Sequence, residues 1–173
     1  MGPLIRKNGT LLNLVLKLVL ALLLLWSVPL YASPVTGRIS WIYDGDTLKV
    51  DGIGKVRLIG IDTPERENSP RDNYYRDRYQ ISSAQLRKIA KQTLTFNIQQ
   101  VKGKQVKLDF DLEKYDKFGR TLSYVYLPDG TLLNRLLIEK GLASVYRRFD
   151  FRLKQDFLAV EEQAKKSRVG LWK

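Results

Sequence analysis

The 173-residue sequence predicts an α+β fold, in which a small antiparallel β-barrel with packed helices follows a hydrophobic N-terminal segment. Short runs rich in β-branched and aromatic residues come first and are separated by Gly and Asp turns. Helical patterns of apolar residues lie between and after these runs. Strands that come mostly first, with helices between and after them, are typical of a small barrel with helices packed against it.

Residues 1–32 have the pattern of an export signal. A basic start at Arg6 and Lys7 precedes an apolar stretch, and Ala32 offers a cleavage site, although the position two residues earlier is larger than preferred. An uncleaved anchor is the alternative, since about 20 apolar residues can span a bilayer. Residues 33–173 are then the folded domain, and we expect it to be secreted or periplasmic, or membrane-anchored through this segment.

Three strands are predicted at the start of the folded domain, at residues 37–43, 47–50 and 55–61. Each is bounded by Gly or Asp and contains frequent β-branched or aromatic residues. Residues 66–78 follow and are rich in Arg, Asp, Asn and Tyr. This polar composition predicts a loop.

The rest of the domain alternates between helical and β patterns. Residues 82–93, 132–138 and 151–167 repeat apolar side chains at helical spacing, which predicts three helices. Residues 105–111 and 121–127 have the composition of strands.

The composition restricts the chemistry of any active site. The chain contains no His and no Cys, so it lacks the commonest general base and any thiolate. This excludes serine–histidine triads, histidine-based ribonuclease chemistry and zinc hydrolysis by His/Cys sites. Catalysis would have to use carboxylates, Arg, Lys, Tyr or a hard cation with oxygen ligands. The net charge of +12 favours a polyanionic partner, nucleic acid or an anionic membrane, unless it serves only solubility.

Three short segments concentrate charge where strands are predicted to end, at residues 43–47, 57–65 and 116–120. The first and third can each be interpreted as a hairpin turn. The second can be a strand that ends in an Asx-type turn before Pro64. Arg57 is unusual, because it lies inside an apolar run where a buried charge needs a partner.

Taken together, the three segments suit phosphodiester hydrolysis. This reaction needs a hard cation, a base that orients or deprotonates water, and cationic donors for the phosphorane oxygens. Asp46 and Asp62 can supply oxygen ligands for Ca²⁺, as can a backbone carbonyl such as that of Thr63. Glu65 could face the same site without occupying the same coordination position.

Two arginines supply the cationic groups. Arg57 and Arg120 offer planar forks that can bind phosphate with two hydrogen bonds each. Strict strand alternation places Arg57 and Asp62 on opposite faces, because they are five positions apart. They can share a site only if the strand bends, and Gly60 is a plausible place for that bend.

The charged segments resemble the active-site motifs of the staphylococcal nuclease (thermonuclease) family in order and approximate spacing. The matching motifs are Asp-Gly-Asp-Thr at 44–47, Arg57 with Asp-Thr-Pro-Glu at 62–65, and Asp-Lys-Phe-Gly-Arg at 116–120. The resemblance covers residues 35–172. It implies a five-stranded OB-fold barrel with three packed helices.

The resemblance also implies a Ca²⁺-dependent endonuclease that hydrolyses DNA and RNA at the 5′-oxygen and leaves 3′-phosphates. The implied catalytic positions are Arg57, Glu65 and Arg120, and the implied Ca²⁺ ligands are Asp46, Asp62 and the carbonyl of Thr63. In this family the glutamate activates or orients water and the arginines bind phosphate. Asp44 is expected to be structural.

Departures from the family lie around the nucleotide pocket. Phe118 stands where the prototype has a tyrosine, so a hydroxyl contact to a nucleotide phosphate is lost. Tyr146 and Phe149 can stack on bases, as aromatics do in single-strand binding, or can belong to the core or rim. Lys117 is a further candidate for a phosphate contact.

Two other functions remain as alternatives. The first is a non-catalytic OB-type module that binds nucleic acid, but no charged catalytic position of the family is missing. The second is a membrane-tethered basic protein, which gives no reason for carboxylates to cluster with arginines. No obligate protein partner is evident, and we expect a monomer.

Overall fold

A closed five-stranded barrel is the centre of the computed structural model, which describes residues 16–17 and 34–173. Its strands are β1 (Val35–Ile42), β2 (Thr47–Val50), β3 (Gly54–Leu58), β5 (Gln105–Asp109) and β6 (Thr121–Tyr126). Around the barrel they follow the order β1, β2, β3, β6, β5. Two further strands, β4 (Ile61–Asp62) and β7 (Ser144–Val145), pair separately. The predicted α+β barrel with five strands is confirmed.

The barrel is not antiparallel throughout. Four of its five strand pairs are antiparallel, but β3 and β6 run parallel, with Val56 opposite Thr121 and Leu58 opposite Ser123. The long stretch of chain between these strands allows the parallel pairing, since parallel neighbours need a crossover connection. The predicted all-antiparallel barrel is therefore wrong at this pair.

Four α-helices lie within residues 34–173, one more than predicted. They are α1 (Arg71–Tyr79), α2 (Ser83–Gln100), α3 (Leu133–Glu139) and α4 (Lys154–Lys166), and a 3₁₀ turn follows at Gly170–Trp172. Among the described residues, no helix is both long and apolar enough to cross a bilayer. Almost all of the predicted signal segment, residues 1–32, lies outside the described residues, so it stays a prediction.

The extra helix, α1, occupies the stretch predicted to be a loop, residues 66–78. Its sequence has no apolar stripe, and only Asp72 and Tyr75 are buried. Tyr75 enters the core, and Asp72 accepts a hydrogen bond from Arg87 of α2 at 2.6 Å. The prediction fails because tertiary contacts, and not an amphipathic pattern, hold this helix.

The other helix and strand boundaries shift by smaller amounts. The predicted helix at 82–93 continues to Gln100, and Ser82 caps it by accepting a hydrogen bond from the Gln85 amide at 3.2 Å. The predicted strand at 55–61 ends at Leu58. The chain therefore leaves the barrel three residues earlier than the sequence indicates.

Gly60 makes the turn at which the chain leaves the barrel. Its φ is +77°, a conformation that favours glycine. A Cβ at this position would lie 2.5 Å from the ring of Phe151. After the turn, Asp62 pairs with Ser144 of β7 instead of continuing β3. The bend expected near Gly60 is thus present, and it redirects the chain between Arg57 and Asp62.

Two buried asparagines hold the turns that precede the charged residues. Asn97 of α2 donates to the Gly45 carbonyl at 2.9 Å. Asn134 of α3 donates to the Ile59 carbonyl at 2.9 Å and accepts from the Val125 amide at 3.0 Å. Because both side chains are fully buried, losing these bonds would leave unsatisfied polar groups in the core.

We predict that Gly60→Ala destabilises the protein more than Gly52→Ala. Both glycines have positive φ, which costs an L-residue roughly 1–2 kcal/mol. Only Gly60 is also crowded, by Phe151, whereas a Cβ at Gly52 meets nothing within 4 Å. Overpacking should add about 1–3 kcal/mol at Gly60. Urea unfolding measures both free energies, and equal losses would contradict this account of Gly60.

Candidate functional site

Asp46 lies in the turn between β1 and β2 and is only 3% exposed. Its amide donates to Asp44 Oδ1 at 3.0 Å, an Asx-type contact that shapes the turn. Asp46 Oδ2 accepts hydrogen bonds from the amide and the hydroxyl of Thr63, both at 3.0 Å. Because Thr63 directly follows β4, these bonds join the first charged segment to the second.

Arg57 of β3 connects two carboxylates. Its Nη1 forms an ion pair with Asp46, and its Nη2 lies 3.8 Å from Asp62 Oδ1. Nη2 also donates to the Ile61 carbonyl at 3.3 Å. Burial, opposed by the negative charge of Asp62, lowers the pKa of Arg57 from its ordinary value. The charge inside the apolar run therefore has the partners that its position requires.

Asp62 is held from its other side by α1. It is 7% exposed, and its Oδ2 accepts hydrogen bonds from Arg71 Nε at 2.8 Å and from the Tyr75 hydroxyl at 2.7 Å. The Tyr75 oxygen also lies 3.0 Å from the hydroxyl of Ser144. The sequence does not predict the roles of Arg71 and Tyr75, because the polar composition of residues 66–78 favours a loop. The only available signal was the frequency of Arg and Tyr just after the Asp-Thr-Pro-Glu motif.

Arg120 lies immediately before β6 and directs its guanidinium toward the same group of residues. Its Nε and Nη2 each lie 2.7 Å from Asp116 Oδ2, and Nη1 lies 3.5 Å from the Thr47 hydroxyl. Thr47 is directly opposite Arg57 in the pairing of β2 with β3. Arg120 is close enough to Arg57 for its charge to contribute to the lowered pKa of Arg57.

Glu65 is exposed, three residues after Asp62. The surrounding protein displaces part of the water around its carboxyl group, and this desolvation raises the pKa of Glu65 from its ordinary value. The negative charge of Asp44 raises it further. Arg57 acts in the opposite direction. A carboxylate whose pKa is raised is a stronger base than an ordinary one, which suits a role in activating water.

The residues predicted for the nucleotide pocket fall into two places. Phe118 is 72% exposed, and its ring lies 5.0 Å from Lys117 Nζ and 5.5 Å from the Arg120 guanidinium. Tyr146 lies elsewhere, with its ring 4.9 Å from that of Phe149 and 5.3 Å from the Arg71 guanidinium. Lys117 and Phe118 are thus associated with Arg120, and Tyr146 with the α1 side of Asp62.

The structure brings Asp46, Arg57, Asp62 and Thr63 into one connected group. Arg120 joins this group through Thr47. Within the described part of the chain, no set of three or more acidic side chains is arranged to hold a metal ion. Instead, the carboxylates of Asp46 and Asp62 both lie next to the guanidinium of Arg57.

A barrel whose strand ends bring carboxylates and arginines together has the features of a phosphodiester hydrolase. The chain matches the model of the family described as staphylococcal nuclease homologues over residues 55–173, and it belongs to that family. The resemblance inferred from the sequence motifs is therefore confirmed. The protein is a nuclease, a hydrolase that acts on the phosphodiester bonds of nucleic acid.

The chain is similar to two thermonucleases and to an uncharacterized protein. The chain is 29% identical over 147 residues to a thermonuclease of Staphylococcus hyicus, which covers 82% of this chain and 78% of the relative. It is 32% identical over 141 residues to a thermonuclease of Staphylococcus intermedius, covering 76% and 72%. It is 37% identical over 164 residues to an uncharacterized protein of Methanocaldococcus jannaschii, covering 85% and 79%.

We predict that Tyr75→Phe slows nucleic-acid hydrolysis whereas Tyr124→Phe does not. Both tyrosines are fully buried, and each donates to a carboxylate at 2.7 Å, Tyr75 to Asp62 and Tyr124 to Asp111. Each variant should lose roughly 1.5–3 kcal/mol of stability in urea unfolding, the contribution of a hydrogen bond to a charged group. Only Tyr75→Phe removes a hydrogen bond to Asp62, which should lower the rate by about 10-fold. Equal rates for the two variants would show that the Tyr75 contact is only structural.

Proposed function

We propose that this nuclease is an exported, Ca²⁺-dependent endonuclease that hydrolyses DNA and RNA at the 5′-oxygen and leaves 3′-phosphates. The observation that carries the proposal is the contact of Arg57 with both Asp46 and Asp62. Two carboxylates suited to a hard cation and one guanidinium suited to phosphate thereby occupy the same small region. The export part rests on the signal pattern of residues 1–32.

The donor atoms around this contact are suited to Ca²⁺. Asp46, Asp62 and the Thr63 carbonyl offer only oxygen ligands, which hard cations prefer. Asp62 Oδ2 is engaged by Arg71 and Tyr75. Asp62 Oδ1 has Arg57 at 3.8 Å, beyond hydrogen-bond distance, and this oxygen is therefore well suited to bind a cation. Bound there, Ca²⁺ would supply positive charge for the phosphate oxygens.

The two arginines differ in how their present contacts leave them available to a phosphate. Arg57 is engaged with Asp46 and with the Ile61 carbonyl, so binding a phosphate with both ends of its fork requires it to exchange one of these partners. Arg120 is held at its Nε and Nη2 by Asp116, which orients the guanidinium while Nη1 points toward Thr47. Both groups would stabilise the charge that develops on the phosphate oxygens.

Glu65 is assigned the proton-transfer step. Its exposed carboxylate orients a water molecule and accepts a proton as the water oxygen attacks phosphorus. The bond between phosphorus and the 5′-oxygen breaks, and that oxygen leaves as a hydroxyl after taking a proton from solvent. The phosphate stays on the 3′-oxygen of the other product, which therefore ends in a 3′-phosphate.

The purified full-length chain, mixed with single-stranded DNA, tests the proposed function. We expect degradation with Ca²⁺ and none with a chelator. Gel electrophoresis measures the degradation, and end-group analysis detects the 3′-phosphate. If neither preparation degrades the DNA while both retain it on a filter, the protein only binds nucleic acid under these conditions and the proposal is wrong.

We predict that Glu65→Gln slows hydrolysis by a factor on the order of 10²–10⁴, the usual contribution of an acid–base group. Substrate binding should be largely preserved, because the variant removes a charge and not a phosphate contact. Glu67→Gln is the matched control, since Glu67 is also exposed and lies two residues along the same segment. A Glu65→Gln protein with nearly the full rate would remove Glu65 from the mechanism.

A further inference from the structure

A line of aromatic rings and cations leads away from Asp62 along α1. Arg71, which binds Asp62 through Nε, has its guanidinium 4.2 Å from the ring of Tyr74. The rings of Tyr74 and Tyr79 are 5.8 Å apart. The ring of Tyr79 is in turn 5.1 Å from the ring of Trp172. The rings therefore form a continuous series from Arg71, beside Asp62, to Trp172 in the 3₁₀ turn.

Further cations flank the distal end of this series. The Arg78 guanidinium lies 5.7 Å from the centre of the Tyr79 ring. Lys165 of α4 places its Nζ 5.2 Å from the Tyr79 ring and 5.1 Å from the Trp172 ring. Lys165 also pairs with Glu161 and Glu162, whereas Arg78 is an exposed residue.

The series ends at an open cavity of about 810 Å³. The cations Arg78, Lys165 and Lys173 line the cavity together with Tyr79 and Trp172, and none of the described residues that line it is acidic. Ligand pockets of roughly 300–1,000 Å³ hold molecules of drug size, so the cavity has room for a nucleotide. Arg78 and Lys173 give the cavity positive charge that suits a phosphate group, whereas the charge of Lys165 is offset by Glu161 and Glu162.

Tyr74, Tyr79 and Trp172 pack against the core, but this packing covers only part of each ring. Tyr75 is the tyrosine of α1 that is fully buried, while Tyr74 and Tyr79 on the same helix are only partly buried, as is Trp172. Partly exposed rings interleaved with cations are what single-strand binding surfaces use, because bases stack on aromatic faces and cations follow the phosphates.

We propose that this line, the α1 track, holds a single-stranded segment of the nucleic-acid substrate outside the hydrolytic centre. The α1 track consists of Arg71, Tyr74, Arg78, Tyr79, Lys165 and Trp172. The helix α1 has nine residues and is therefore about 13 Å long, which gives the track room for a few nucleotides. The inference rests on the proposed hydrolytic centre at Asp62, because that centre fixes the end from which the strand extends.

Binding of a labelled oligothymidylate of about 12 nucleotides, within the range that one OB fold binds, tests the track. The full-length protein, Arg78→Gln and the control Arg38→Gln are compared by fluorescence anisotropy in chelator, over a series of salt concentrations. Arg38 is also an exposed arginine, but it lies in β1 and lines a different cavity. Both variants remove one positive charge, so any general loss of attraction to a polyanion is common to them.

We expect Arg78→Gln to weaken binding by about 3–10-fold and to reduce the slope of log affinity against log salt by about 0.7, the value for one phosphate contact on a single strand. Arg38→Gln should change both quantities less. Equal effects of the two substitutions would overturn the α1 track.

Hydrolysis with Ca²⁺ provides a second measurement that separates the track from the proposed function. In Arg78→Gln, KM should rise by about 3–10-fold more for the 12-nucleotide substrate than for a trinucleotide, which is too short to span the track. Equal rises for both substrates would overturn the track and leave the hydrolytic centre intact. If the unaltered protein cleaves neither substrate, the proposed function fails, and the anisotropy measurement still decides whether Arg78 binds the strand.

Discussion

The placement of Arg57 is the constraint on which the arrangement of the site depends. A guanidinium on a barrel strand, largely removed from water, is stable only with negatively charged or hydrogen-bonding partners. Asp46, Asp62 and the Ile61 carbonyl provide them. These partners come from segments that precede and follow β3 in the sequence, so the site is complete only when the barrel has brought them together.

The turns on either side of Arg57 are fixed by groups that are themselves buried. Asn97 holds the Gly45 carbonyl and Asn134 holds the Ile59 carbonyl, while Thr63 ties its own segment to Asp46. A carboxylate with its hydrogen bonds already in place needs little reorganisation when a charged ligand arrives. This support explains how charged groups can stay in position at strand ends that are otherwise short and polar.

The helix α1 extends the site beyond the barrel. Through Arg71 and Tyr75 it determines which oxygen of Asp62 faces Arg57. Through Tyr74 and Tyr79 it carries aromatic surface away from that carboxylate. The same short element therefore positions a candidate Ca²⁺ ligand and provides the surface on which we place the substrate strand.

The sequence by itself determined the family and restricted the residue types that any catalysis could use. The lack of His and Cys left carboxylates and arginines as the candidate site residues. The alternation of side chains along a strand places Arg57 and Asp62 on opposite faces, so both can share a site only if the strand bends between them. Gly60 provides this bend. Tertiary structure alone decided that residues 71–79 are helical, that Arg71 and Tyr75 hold Asp62, and that β3 and β6 pair in parallel. The reason is that spacing and composition report local periodicity and residue chemistry. The helix α1 lacks an apolar stripe and is stabilised by contacts to α2 and the core, which no local pattern records.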